Sequence, residues 1–328
     1  MPEATAAPVR TAPRSEPRVE GPRVRTSARG DLVYWSTLYG VALVFLAVCG
    51  VMLYFTIQGS LPAWEHSGLG LITGSIWSPG SGDFGALPLI AGTLETSAIA
   101  LIFGVPLGIL VAIAIVHQVP TRLRTPLSSF VELLAAIPSI VYGFIGLVII
   151  SPWAGESLFP WLQSSTHNFV LFSGLEPAGP SVLLAGIVLF VMVLPTIVAF
   201  SRDAIAAVPH ELVEGGLSLG ATRWQTIFRI VLPAARTGII GAVTLAAARA
   251  LGETIAVSMV IGGAFTTSRS LLLPGNTIAA AIATGWDDAT ALTHSAFLAL
   301  AIVLIVITAT INWIGRSLIA RGRKGATL

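Results

Sequence analysis

Residues 245–263 read LAAARALGETIAVSMVIGG. Almost every side chain here is small or apolar, and no alternation of strand period runs through it. The stretch therefore reads as a helix able to sit in hydrocarbon. Two residues contradict that setting: Arg249 and Glu253 stand in its middle, four positions apart. An arginine at the centre of a membrane helix costs roughly 2.5–3.5 kcal/mol on insertion scales. On an uninterrupted helix, positions i and i+4 lie on one face and can touch, so the spacing predicts an Arg249–Glu253 pair.

The rest of the chain supports the membrane setting. Of 328 residues, 54% are hydrophobic and only 10% are charged, against about 25% charged in a typical soluble domain. Mean hydropathy is +0.85. The composition predicts an integral membrane protein. A single cysteine, Cys49, excludes an intrachain disulfide and reads as a small hydrophobe. Residues 1–30 are rich in Pro, Arg, Ala and Glu and lack the apolar core of a cleaved signal peptide. They are expected to be disordered.

Apolar runs of about 20 residues, the length that crosses a bilayer, occur at about 32–57, 88–117, 127–150, 181–200, 237–262 and 296–315. The expected fold is all-α, with six transmembrane helices. Six crossings place 16 of the 18 positive residues on one side. These are six arginines in the N-terminal tail, Arg122 and Arg124, then Arg202, Arg223, Arg229 and Arg236, and finally Arg316, Arg321, Arg323 and Lys324. The opposite side receives Arg269 and the acids Glu65, Asp83, Glu156, Glu176, Asp287 and Asp288. Positive loops remain cytoplasmic, so both termini are expected inside. The remaining positive residue is Arg249, 13 positions beyond Arg236. That is about 20 Å along a helix, too deep for easy snorkelling.

The longest loop on the positive side, 201–236, fits two short helical segments separated at Gly220, which suits a left-handed turn. The second, Ala221 to Ile230, is expected to end before Pro233. Its Trp224, Ile227, Phe228 and Val231 fall on one face. Such a hairpin serves either a partner protein or the membrane surface.

The spacing of this loop resembles the coupling motif of ABC importer permeases. Glu214-Gly215-Gly216 is followed after three residues by Gly220 and after nine more by Ile230-Val231-Leu232-Pro233. The motif's usual Ala-Ala is Gly-Gly here, which weakens a helix by roughly 1 kcal/mol per glycine. The stretches FGALPLIAGTLETSAIAL (84–101), VELLAAIPSIVYGFIGL (131–147) and ARALGETIAV (248–257) are similar to PstC, a permease family of the bacterial phosphate importer. The likeness runs from about Leu32 to the C-terminal tail.

This resemblance implies a type I ABC importer permease, N-in and C-in, carrying inorganic phosphate. It implies a domain organisation of a 1–30 tail, a first helix and outer loop over 31–87, a type-1 transmembrane domain over 88–316 and a 317–328 tail. It implies three partners: a PstA-like second permease as heterodimer, a PstB-like ATP-binding pair and an extracytoplasmic PstS-like phosphate-binding protein. Glu214, Gly215, Gly216, Gly220, Ala221 and Arg223 are then the residues that couple to the ATPase. No P-loop motif occurs in the sequence, so ATP and Mg belong on that partner and this chain carries no cofactor. Arg249, Glu253 and the adjoining Thr254 are the expected substrate path, with Glu95 and Ser139 as secondary candidates.

The chemistry agrees. A guanidinium matches phosphate bidentately, and a neighbouring carboxylate accepts a hydrogen bond from a protonated phosphate oxygen, which sulfate lacks. Three alternatives remain at this level: a sulfate or molybdate permease, an ion-coupled secondary anion transporter, and an Arg249–Glu253 pair that merely neutralises itself. In the first family Phe-Gly follows the glutamate, where this chain has Thr254-Ile255. Glu132 reads as interfacial, and Pro106, Pro138 and Pro195 as sites of helix kinks. The histidines lack metal-ligand spacing.

Overall fold

The computed structural model describes residues 28–166, 169–173 and 179–324. Residues 1–27 of the N-terminal tail, and Glu176, lie outside the described residues. The chain divides into two units, residues 1–53 and 54–328, with the boundary inside the first helix. That helix, α1, runs Ala28–Ser67. Up to residue 53 it carries apolar and aromatic residues on every side, as a lone membrane-crossing helix does.

In the second unit the helices are α2 (Leu87–Gln118), α3 (Thr121–Ala136), α4 (Ser139–Ser165), α5 (Val182–Ala206), α6 (His210–Ser218), α7 (Arg223–Leu251), α8 (Ile255–Val260), α9 (Ile278–Gly285) and α10 (Ala291–Lys324). Six of these, α1, α2, α4, α5, α7 and α10, are long and apolar enough to cross a membrane. The sixfold reading is therefore met, but two spans move.

The third crosses at 139–165 rather than 127–150. The apolar run through 131–150 is continuous in sequence, but Pro138 lacks an N–H and forces Ile137 into an extended conformation (ψ 130°). The run is thus cut into α3 and α4, and Glu132 falls on α3. The fifth crosses at 223–251 rather than 237–262. It begins earlier because the second segment of the 201–236 loop does not stop before Pro233. It continues through a widened π turn at Ile227–Val231, where the Leu232 N–H reaches back to Ile227 O. The wider turn relieves the clash a proline ring otherwise makes with the preceding turn. Pro106 and Pro195 are carried inside continuous helices. The expected C-terminal tail is helical as far as Lys324.

The main core lies where α2 and α5 cross and α7 and α8 pack on them, through Ile99, Leu189, Met192, Ile197, Ala246 and Val260. Small residues set the spacing: a Cβ on Gly108 would fall 2.6 Å from Ile197 Cγ2. Close approach of this kind takes the place of the hydrophobic effect between membrane helices. A second core caps the other end of the bundle. A two-stranded antiparallel hairpin, β1 (Trp77–Ser78) with β2 (Asp83–Phe84), buries Trp77 stacked between Phe265 and Phe297, with centroids 6.1 and 5.7 Å away. A third, small core of Ala112, Ile113, Ile205, Ile227, Val231 and Ala235 joins the ends of α2 and α5 to the start of α7.

Candidate functional site

Helix α7 is built on alanine. Ala242, Ala246, Ala247 and Ala250 are buried against the bundle, small side chains of the kind that let membrane helices approach closely. Along its other side run Gly241, Leu245 and Gly252. A Cβ on Gly241 would meet nothing within 4 Å, and Leu245 is 49% exposed. This side is open, and Arg249 sits half-buried at its edge.

The helix ends at Leu251. Gly252 and Glu253 turn out of it, and α8 starts again at Ile255. The break corrects the expected pairing. Because Glu253 lies beyond the helix end, it no longer stands one turn above Arg249, and the two make no ion pair. The Ala256 N–H instead donates to Glu253 Oε1 at 3.1 Å, so the carboxylate caps α8, as an acidic side chain does for an orphan N–H at a helix start. The Thr254 hydroxyl donates to Gly252 O at 3.2 Å, closing the break. Among the described residues no carboxylate and no hydrogen-bond acceptor engages the Arg249 guanidinium. Its planar fork is left available.

The third membrane helix supplies the neighbouring wall. Tyr142 lies within electrostatic reach of Arg249 and was not foreseen. The one sequence signal was a polar ring in the apolar run IVYGF. One residue on, Gly143 brings α4 against α8: a Cβ there would lie 2.8 Å from Ala256 Cα. Ser139, half-buried, opens α4 one turn before Tyr142. The break, with Arg249, Glu253 and Thr254, thus lies beside Tyr142 and Gly143 of α4, and Ser139 stands one turn further along that helix. Glu95 stands apart from it. It is half-buried on α2 in a small recess with Thr266, Thr267 and Ser268, which includes none of residues 249–254.

The 201–236 hairpin is built as its sequence suggests, with one change at the second helix. Helix α6 holds Glu214, Gly215 and Gly216 within its last turns, so the two glycines do not break it. Gly216 has a packing reason, since a Cβ would meet Ile230 Cδ1 at 2.5 Å; Gly215 has open space around it. Gly220 takes φ +84°, a left-handed conformation that glycine adopts without strain. Leu219 and Gly220 form the turn, and Ala221 and Thr222 lead into the next helix. The Thr222 hydroxyl accepts the Gln225 N–H while Gln225 Oε1 accepts the Thr222 N–H, so α7 opens on a reciprocal capping box just before Arg223. The tip is apolar: Leu219 is 90% exposed, and Trp224 and Phe228, also exposed, stack at 5.9 Å. At the base of the hairpin, Arg202 Nη2 pairs with Glu132 Oε1 at 3.0 Å and with Asp203 Oδ1 at 2.8 Å.

Comparison with known proteins bears on this geometry. Residues 104–324 match the family model of the binding-protein-dependent transport system inner membrane component. The phosphate transport system permease protein PstC of Mesorhizobium japonicum is 39% identical, over 92% of this chain and 94% of that protein. The PstC of Pasteurella multocida is also 39% identical, over 88% and 91%, and PstC 1 of Mycobacterium tuberculosis 35% identical, over 90% and 95%. A solved chain of a bacterial alginate ABC transporter, in complex with an alginate-bound periplasmic protein, superposes with a TM-score of 0.55. It covers 90% of this chain and 98% of that one, at 18% identity, and so shares the fold. This chain, with six helices long and apolar enough to cross a membrane and a hairpin after the fourth, is matched along almost its whole length by these relatives and belongs to the PstC family of phosphate transport permeases, within the binding-protein-dependent inner membrane components.

Proposed function

We infer that the chain is the permease subunit of an ATP-driven importer carrying inorganic phosphate into the cell. Both termini and the 201–236 hairpin face the cytoplasm, in keeping with the charge asymmetry of the loops. The exposed tip of the hairpin, Leu219 with Glu214, Gly220, Ala221 and Arg223, docks on a PstB-like ATPase pair, which holds ATP and Mg. The open side of α7 meets the equivalent helix of a PstA-like second permease, so that Arg249 looks into a path enclosed by two subunits. A PstS-like binding protein delivers phosphate to the opposite end.

The observation that carries this reading is the unpaired, half-buried guanidinium of Arg249 beside a break in a membrane helix. An arginine held in the membrane without a counter-ion costs too much to serve stability alone. It has the donor geometry for phosphate. Glu253 keeps its second carboxylate oxygen for a protonated phosphate oxygen, and Thr254, Ser139 and Tyr142 line the approach. The test is uptake of labelled phosphate by proteoliposomes holding this chain, the second permease, the ATPase and the binding protein. The expected result is ATP-dependent uptake in the wild type and its loss in Arg249→Gln with the complex intact. Full uptake by an Arg249→Leu, Glu253→Leu double variant rejects the role of both residues.

A further inference from the structure

Helix α3 is held in an unusual way. None of its residues is buried. Leu123, Leu127, Phe130 and Leu133 all point outward, so it lies along α5 without sinking an apolar side chain into the core. Two polar contacts tie its C-terminal half instead. On one side the Glu132 carboxylate pairs with Arg202 at 3.0 Å, where α5 leads into the coupling hairpin. On the other the Tyr142 hydroxyl donates to Leu134 O at 2.7 Å. Tyr142 belongs to the turn of α4 whose Gly143 rests on Ala256, the residue capped by Glu253. A continuous series of contacts therefore runs from the root of the hairpin to the helix break beside Arg249.

We propose that Arg202 and Glu132 are positioning residues that pass movement of the coupling hairpin through α3 to the Arg249–Glu253 break, so that ATP hydrolysis and phosphate passage remain in step. This rests on the reading of the chain as an ATP-driven phosphate permease. The geometry suits transmission better than simple adhesion. The Arg202 side chain is only 15% exposed, held by Asp203 through Nε and Nη2, and the same Nη2 is directed at one oxygen of Glu132 on α3. Asp203 also makes the idea testable. Loss of the Glu132 charge leaves Arg202 paired, so no bare charge is created and the bundle should assemble.

The experiment measures phosphate imported per ATP hydrolysed by the complete complex in proteoliposomes, for wild type, Glu132→Gln and the charge swap Glu132→Arg, Arg202→Glu. In Glu132→Gln, phosphate uptake is expected to fall up to about fivefold, the effect of losing one ion pair whose carboxylate is 59% exposed. ATP hydrolysis should fall far less, so the ratio drops. The swap should recover most of the ratio. A Glu132→Gln complex with the wild-type ratio overturns the proposal. So does an equal fall in uptake and hydrolysis, which is the mark of a merely less stable complex, or a swap that restores nothing. If Glu132→Gln does not assemble, the swap decides alone: a restored ratio supports the link and an unrestored one overturns it. A wild-type complex that imports no phosphate at all removes the underlying assignment, and this proposal with it.

Discussion

The couples Arg249 with Glu253 and Arg202 with Glu132 behave oppositely. Arg249 and Glu253 are four residues apart and do not pair. Arg202 and Glu132 are 70 residues apart and do, at 3.0 Å. The first couple is separated by a helix end, and its carboxylate is spent on a backbone N–H. The second is brought together by tertiary packing at the end of the bundle. Proximity in sequence was a poor guide to partnership because helix continuity was assumed in one case and nothing local announced the other. On the function proposed above, the unpaired arginine is the one that meets the ligand, and the paired one is the one that holds neighbouring helices in register.

The largest expected effect tests the unpaired member. Arg249→Gln should reduce phosphate uptake by about ten- to a hundredfold, corresponding to about 1.5–3 kcal/mol for a hydrogen bond to a charged group. The yield of purified complex should be unchanged. Arg249→Lys should be nearly as poor, because an ammonium lacks the planar fork. If uptake and assembly fall together, Arg249 is structural after all, and the contrast with Arg202 disappears.

Glu253 sharpens the comparison by separating cap from path. Glu253→Gln retains an oxygen for the Ala256 N–H, so thermal stability should be close to wild type while uptake drops about tenfold. Glu253→Ala loses the cap as well, and its stability should fall by about 1 kcal/mol. Equal stability of the two variants in a thermal melt would show that the cap is not what holds the break. At the hairpin, Thr222→Ala should cost about 1 kcal/mol by removing the capping box, seen as a lower melting midpoint. The smallest effect is at Gly215. With open space around it, Gly215→Ala should stabilise α6 by up to about 1 kcal/mol, seen as a higher melting midpoint. The same change at Gly216 must displace Ile230 and should gain nothing.

Much of this architecture was legible in the sequence, for physical reasons. Twenty-residue apolar runs have few other uses, so the number of spans could be read. The hairpin turn could be placed because Gly220 is one of few residue types that tolerate φ +84°. What escaped were features decided by competition between neighbours. The run through Pro138 looks continuous in hydropathy, and only the missing N–H cuts it. Pro233 looked like a stop, yet the π turn before it lets the helix pass. Gly252 was visible as a weak point in α7, but an i, i+4 pairing requires that the helix not yield there. The Arg202–Glu132 tie and the approach of Tyr142 to Arg249 depend on packing between distant segments, for which no local pattern exists.

The π turn at Ile227–Val231 has a mechanical consequence. It lies on a single rod, α7, between the hairpin tip at one end and Arg249 at the other. In an α-helix each residue advances the azimuth by about 100°, so a one-residue change in that turn acts like slipping a gear by one tooth. The chain beyond it rotates as a body relative to the tip. Removing a residue there would swing Arg249 away from its present edge of the helix without altering a single atom of its own surroundings in sequence. The phase of the rod, as much as the identity of the side chain, determines which way the arginine looks.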